Sequence, residues 1–117
     1  MGRLLIIDDE GDIRHLYAAE LEDDGHVVAV AGSGTEAMAL LDAQDFDLVI
    51  LDIQLDQENG LELLQTITRK KEGLPVVLCS AFSSYREDFS SWLADAYIVK
   101  SSNLNELKEQ VNRILGK

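Results

Sequence analysis

Several things that would place this chain outside the world of ordinary globular domains are missing from it. A single cysteine, Cys79, cannot close an internal disulfide, so no disulfide framework holds the fold. One proline and eight glycines in 117 residues exclude collagen-like and low-complexity architectures. No stretch approaches the roughly 18 to 20 consecutive apolar residues of a membrane span. The opening MGRLLIIDDE has neither the long apolar stretch nor the small-residue cleavage site of a secretory leader. It begins Met-Gly, but position 6 is Ile where a myristoylation signal wants Ser or Thr. A cytoplasmic protein without membrane contact is expected. Basic residues are scarce as well: 10 Lys and Arg stand against 22 Asp and Glu, a net charge of −12. That field repels nucleic-acid phosphates and anionic membranes, so direct nucleic-acid binding by this domain is not expected.

What is present is an apolar content of 46%, enough for one core, and a length suited to one domain spanning residues 1–117. Five short aliphatic or β-branched runs recur: LLIID at 4–8, HVVAVA at 26–31, DLVILD at 47–52, PVVLCS at 75–80 and YIVK at 97–100. Each is too short for a helix and suits a strand. Between them lie segments with helical spacing. Ile13, Leu16, Tyr17 and Leu21 mark the first, and Ala37, Met38, Leu40 and Leu41 the second. Leu61, Leu64 and Ile67 mark the third, Phe89, Trp92 and Leu93 the fourth, and Leu104, Leu107, Val111, Ile114 and Leu115 the fifth. Ser33, Ser84 and Asn103 each stand three residues before a glutamate, the spacing of a helix-capping box or its Asn variant. Strict alternation of strand and helix implies right-handed crossovers and a mostly parallel sheet with helices on both faces. The runs starting at 4, 47 and 76 are apolar almost throughout, as strands covered on both sides must be. Cys79, inside VVLCS, reads as a small buried hydrophobe.

The residues that end the strands carry the chemistry. The first run ends at Asp8 and Asp9, the third at Asp52, the fourth at Ser80 and the fifth at Lys100. Ligands of an open parallel sheet bind outside the carboxyl ends of its strands, so these five residues are candidates for one pocket. Two carboxylates about 4 Å apart repel by roughly 4 kcal/mol at an effective dielectric near 20. A hard divalent cation such as Mg2+, which takes oxygen ligands and typically one or two carboxylates plus a phosphate oxygen, removes that penalty. Lys100 would balance a phosphoryl charge and the Ser80 hydroxyl would donate to one of its oxygens.

The constellation resembles the receiver domain of two-component response regulators, typified by the bacterial chemotaxis regulator. The similarity covers the whole chain and rests on IDDE after the first run, LVILDIQLDQENG at the third, LCSA at the fourth and DAYIVKS at the fifth. It implies a flavodoxin-like, doubly wound α/β/α fold with five parallel strands in the order 2-1-3-4-5 and five helices. It also implies that Asp52 accepts a phosphoryl group from a sensor histidine kinase or a phosphotransfer protein. Asp9, with Asp8 partly through water, would hold Mg2+ together with Asp52 and the backbone carbonyl of Gln54. Ser80 and Lys100 would contact the phosphoryl group, and Ser80 with Tyr97 would form the switch. The surface of the fourth helix, fifth strand and fifth helix would change for partners to read, and phosphorylation-dependent homodimerisation through it is plausible. Such a domain is a regulatory phospho-acceptor rather than a turnover enzyme. Gln54 and Phe82 are where the family tunes dephosphorylation, Phe82 by shielding the acyl phosphate.

Two positions depart from the family pattern. Asp56 stands where Pro is usual four residues after the acceptor, which frees a φ angle and adds a carboxylate near the site. Ser101 stands where Pro usually follows the lysine, so Lys100 can be aimed differently. Neither change deletes a reacting group.

Blander readings stand beside each residue. Asp8 or Asp9 alone would cap a helix, Ser80 alone would be a loop hydroxyl, Lys100 a solvated lysine and Tyr97 a half-buried strand aromatic. Together the strand-end residues outweigh those readings. His15 and His26 have no zinc-ligand spacing and are expected at the surface. Trp92 is expected to pack on the sheet. Asn59-Gly60 reads as the turn that starts the third helix, with glycine needed for an unusual backbone angle. A haloacid-dehalogenase-type phosphohydrolase would need a second Asp two residues after the nucleophile, where this chain has Gln54. A non-phosphorylated pseudo-receiver would lack an acceptor or metal residue, and none is lost. A nucleotide-binding module would need a glycine-rich loop, and DDEGD offers one glycine.

Overall fold

A computed structural model describes residues 2–55, 58–80, 94–99 and 104–116. In chain order the elements are β1 (Arg3–Ile7), α1 (Gly11–Asp23), β2 (Val27–Ala31), α2 (Gly34–Ala43), β3 (Leu48–Asp52), β4 (Gln54–Leu55), β5 (Glu58–Asn59), α3 (Gly60–Lys70), β6 (Val76–Ser80), β7 (Ala96–Val99) and α4 (Asn105–Ile114). Five strands form one parallel sheet in the order β2-β1-β3-β6-β7. With the two-residue hairpin β4–β5 set aside, this is the expected 2-1-3-4-5 order. Four helices are seen among the described residues. The helix expected around Phe89, Trp92 and Leu93, with its cap at Ser84, lies outside them.

Alternation along each strand sends its side chains to two separate cores. Leu5, Ile7, Val49, Leu51, Val76 and Leu78 face α2 and α3, where Ala37, Leu41, Leu61, Leu64 and Ile67 meet them. Leu4, Ile6, Leu48, Ile50, Val77 and Cys79 face the other side, covered by Tyr17 and Leu21 of α1 and Leu107 and Val111 of α4. Every residue of β3 and β6 is buried, as is every residue of β1 except Arg3, which is what central strands with helices on both faces require. Each Leu or Ile buried in this way contributes about 1.5–3 kcal/mol relative to leaving it in water. The edge strand β2 is wetter, and its Val27 and Val30 remain exposed.

The helix cap at Ser33 forms as expected: its hydroxyl accepts from the Glu36 amide at 3.2 Å. At α4 the cap position is held by Leu104, one residue past Asn103, which lies outside the described residues. Three expectations need correction. Leu16 is exposed rather than part of the apolar stripe of α1. His26 is buried, not a surface histidine. Gly25 ends the α1 turn with φ +93°, the His26 amide donates back to the Leu21 carbonyl, and His26 Nδ1 accepts from the Gly2 amide at 3.1 Å. Gly60 does open α3, but its φ is not positive. Glycine is needed there for space: a Cβ would fall on the backbone oxygen of Ile53 and lie 2.5 Å from that of Asp52.

Candidate functional site

β1 and β3 are neighbours in register, Ile7 beside Leu51, so their carboxyl ends deliver Asp8 and Asp52 to the same place. Both carboxylates are buried, with 2% and 3% of their surface exposed. Asp9 and Glu10 continue the chain past Asp8, and one carboxylate oxygen from each of Asp8, Asp9, Glu10 and Asp52 lies within 4.8 Å of the others. Asp8 is fixed on both sides of its α-carbon: its amide donates to the Ala31 carbonyl at 3.1 Å, and its Oδ1 accepts from the Glu10 amide at 2.9 Å. That second bond turns the chain tightly into α1, whose first intrahelical bond runs from the Arg14 amide to the Glu10 carbonyl at 3.0 Å.

The structure therefore brings together the expected Asp8, Asp9 and Asp52. Ser80 ends β6, the strand paired with β3 on its other side, and is fully buried. Gln54 begins β4 just after Asp52 and Ile53, and the Ile53 amide donates to the Cys79 carbonyl at 3.0 Å, which ties this loop to β6. Tyr97 lies elsewhere: half-buried on β7, paired with Leu78, it packs against the core on the α2–α3 side. Lys100, Ser101, Asp56 and Phe82 lie outside the described residues.

Two participants were not anticipated. Glu10 joins the carboxylate group, and the acidic triplet DDE was the available signal for it. Arg14 reaches back from α1 so that its Nη1 donates to the Asp8 carbonyl at 2.6 Å. Sequence spacing gave no cue to it, because the contact depends on how the helix leaves the turn.

Chemically, this is an oxygen-only donor set at the open end of a parallel sheet, with two carboxylates taken out of water. Such a set suits a hard, oxygen-seeking divalent cation better than zinc, whose sites draw mostly on histidine and thiolate. A buried serine hydroxyl one strand away can donate to an anion held beside Asp52.

Comparison with known proteins agrees with this geometry. The family model described as the response regulator receiver domain matches residues 4–112. The chain belongs to the response regulator receiver domain family. It is similar to the alginate biosynthesis transcriptional regulatory protein AlgB of Pseudomonas aeruginosa, with 37% identity over 109 residues, 92% of this chain and 24% of AlgB. The receiver thus spans about a quarter of that relative. Among solved structures, the response regulator TrrA of Thermotoga maritima in complex with Mg2+–BeF is 44% identical with a TM-score of 0.92, covering 97% of this chain and 99% of that one. TrrA in complex with the histidine kinase ThkA matches with 44% identity and a TM-score of 0.91, covering 98% and 99%. Among the described residues, no helix of this receiver is long and apolar enough to cross a membrane.

Proposed function

We propose that residues 1–117 form one cytoplasmic receiver domain of five helices, the fourth in chain order around Phe89 and Trp92, in which Asp52 accepts a phosphoryl group from a histidine kinase or phosphotransfer protein. The observation that carries this reading is the gathering of Asp8, Asp9, Glu10 and Asp52 within 4.8 Å at the carboxyl end of the sheet. The Mg2+–BeF complex of TrrA supports it, because beryllofluoride stands in for a phosphoryl group on a carboxylate. The ThkA complex of TrrA supports the class of donor.

Asp8, Asp9, Asp52 and the Gln54 carbonyl would hold Mg2+, which when bound supplies neutralising charge for the phosphoryl oxygens. The chain's own residues do the rest. A carboxylate oxygen of Asp52 attacks phosphorus, an O–P bond forms, and the N–P bond of the donor phosphohistidine breaks with its electron pair left on the imidazole. Burial of Asp52 limits the access of water to the resulting acyl phosphate. Ser80 and Lys100 bind the new phosphoryl oxygens, and the added charge of about −1.5 to −2 biases a two-state surface built from the 81–93 segment, β7 and α4. Tyr97, packed against the core from β7, is positioned to follow that change. The surface then docks on a partner or on a second phosphorylated copy, with no direct nucleic-acid contact by this domain. The domain acts as a regulatory acceptor that catalyses its own phosphorylation and dephosphorylation rather than as a turnover enzyme.

The test is an intact-mass spectrum after incubation with Mg2+ and acetyl phosphate. One added phosphoryl group, absent in Asp52→Ala and in chelator, is expected. An Asp52→Ala protein that still gains the group would overturn the assignment.

A further inference from the structure

Among the described hydrogen bonds, Arg14 reaches the carboxylate turn through the turn's backbone: its Nη1 donates to the carbonyl of Asp8 at 2.6 Å. The same guanidinium lies over the junction between β2 and α2. A Cβ on Gly32 would stand 3.1 Å from Arg14 Nη1 and 3.6 Å from its Cζ, and the Glu36 carboxylate is equally near that point at 3.6 Å. On the α1 side, a Cβ on Gly11 would stand 3.6 Å from Arg14 Nη2. Gly32 therefore leaves the room the guanidinium occupies, while a Cβ at Gly11 would only touch it. Asp8 is tied to the same junction a second time, through its amide and the Ala31 carbonyl.

We infer that Arg14 is a positioning residue for metal binding: it clasps the Asp8–Glu10 turn against the β2–α2 junction and so holds the carboxylates in their converging arrangement. The inference rests on the metal-dependent receiver reading above. Its physical basis is that the carboxylates repel one another, so a turn not held from behind relaxes outward and must be drawn together again when the cation binds. The guanidinium has several donors in a fixed fork and can donate to Asp8 while packing close to Gly32, which an ammonium cannot do as well. The sign of the effect separates this role from simple electrostatics. A cation near a Mg2+ site opposes binding, so if charge alone mattered its removal would tighten the site. If the clasp matters, removal loosens it.

The experiment is titration calorimetry of Mg2+ on the full chain, with thermal melting in chelator measured alongside. Groups that orient metal ligands from behind are commonly worth about 10–100-fold in metal affinity, and Arg14→Ala is expected to weaken Mg2+ by about tenfold. Gly32→Ala, which keeps the charge and displaces the guanidinium, is expected to weaken it in the same direction. Arg14→Lys is expected to recover part of the loss. Equal or tighter binding by Arg14→Ala would overturn the inference while leaving the receiver reading intact. A loss of affinity no larger than the loss of melting temperature in chelator accounts for would also overturn it. Failure of the unsubstituted chain to bind Mg2+ would overturn both, and the acetyl phosphate experiment identifies that case separately.

Discussion

The two ends of the central sheet treat polar side chains differently. At the amino-terminal end three of them are matched to single backbone amides: Asp47 accepts from Arg3 at 2.8 Å, Asp95 accepts from Val76 at 3.0 Å, and His26 accepts from Gly2 at 3.1 Å. These side chains complete the hydrogen bonding of strand starts. At the carboxyl end Asp8 also accepts from a backbone amide, that of Glu10 at 2.9 Å, but there the carboxylates of Asp8, Asp9, Glu10 and Asp52 converge on one another as well. The first arrangement stabilises the fold by itself, and the second gathers like charges that the proposed cation would neutralise. The contrast separates residues kept for stability from residues kept for function, and substitutions at the two ends should fail in different ways.

The largest effect is expected from Asp9→Ala, which should abolish phosphorylation by removing a proposed metal ligand while the far-ultraviolet dichroism stays native. Retained Mg2+ affinity in that variant, measured by calorimetry, would break the functional half of the comparison. Gly60→Ala comes next. Its Cβ would collide with the Ile53 and Asp52 carbonyls, so overpacking of about 1–3 kcal/mol is expected in denaturant titrations, together with slower phosphorylation because the displaced backbone carries Asp52. At the other end, His26→Ala leaves the Gly2 amide without its acceptor and is expected to cost about 1–3 kcal/mol of stability with phosphorylation unchanged. Loss of phosphorylation in a folded His26→Ala protein would dissolve the distinction between the two ends.

The smallest effect concerns the surface. Lys108 of α4 reaches Glu20 of α1 at 2.9 Å and Asp24 at 3.8 Å. Its hydrogen bond to Glu20, helped by the charges of Asp24 and Asp23 against some desolvation, raises its pKa above the ordinary lysine value. A raised value means that the contribution is fully present below the ordinary lysine pKa and is lost as pH rises through the folded one. Lys108→Met should therefore flatten the alkaline limb of a melting curve taken against pH, by little, since exposed pairs contribute little. An unchanged limb would show that the pair carries no measurable stability.

Much of this division was legible in the residues. The strands showed as short apolar runs because central parallel strands are buried on both faces, and the site showed because strand ends in such a sheet converge. Contacts that depend on three-dimensional closeness without a periodic signature did not show. His26 meets Gly2 across 24 positions, at the point where α1 hands the chain to β2, and no local pattern separates it from a surface histidine. Gly60 looked like a turn glycine, and only the packed backbone reveals that it makes room for the Asp52–Ile53 carbonyls. The hairpin β4–β5 pairs two residues with two, below the length at which alternation can be read. Arg14 is hidden for a similar reason, since its side chain matters for where it returns, not for where it sits on the helix.

The central claim is that Asp52 itself carries the phosphoryl group. Borohydride reduction of the phosphorylated protein converts an aspartyl phosphate to homoserine, and tandem mass spectrometry then locates the residue. Homoserine at position 52, dependent on Mg2+ and absent without the phosphodonor, is the predicted result. Homoserine at Asp8, Asp9 or any other aspartate, with position 52 unmodified, would contradict it.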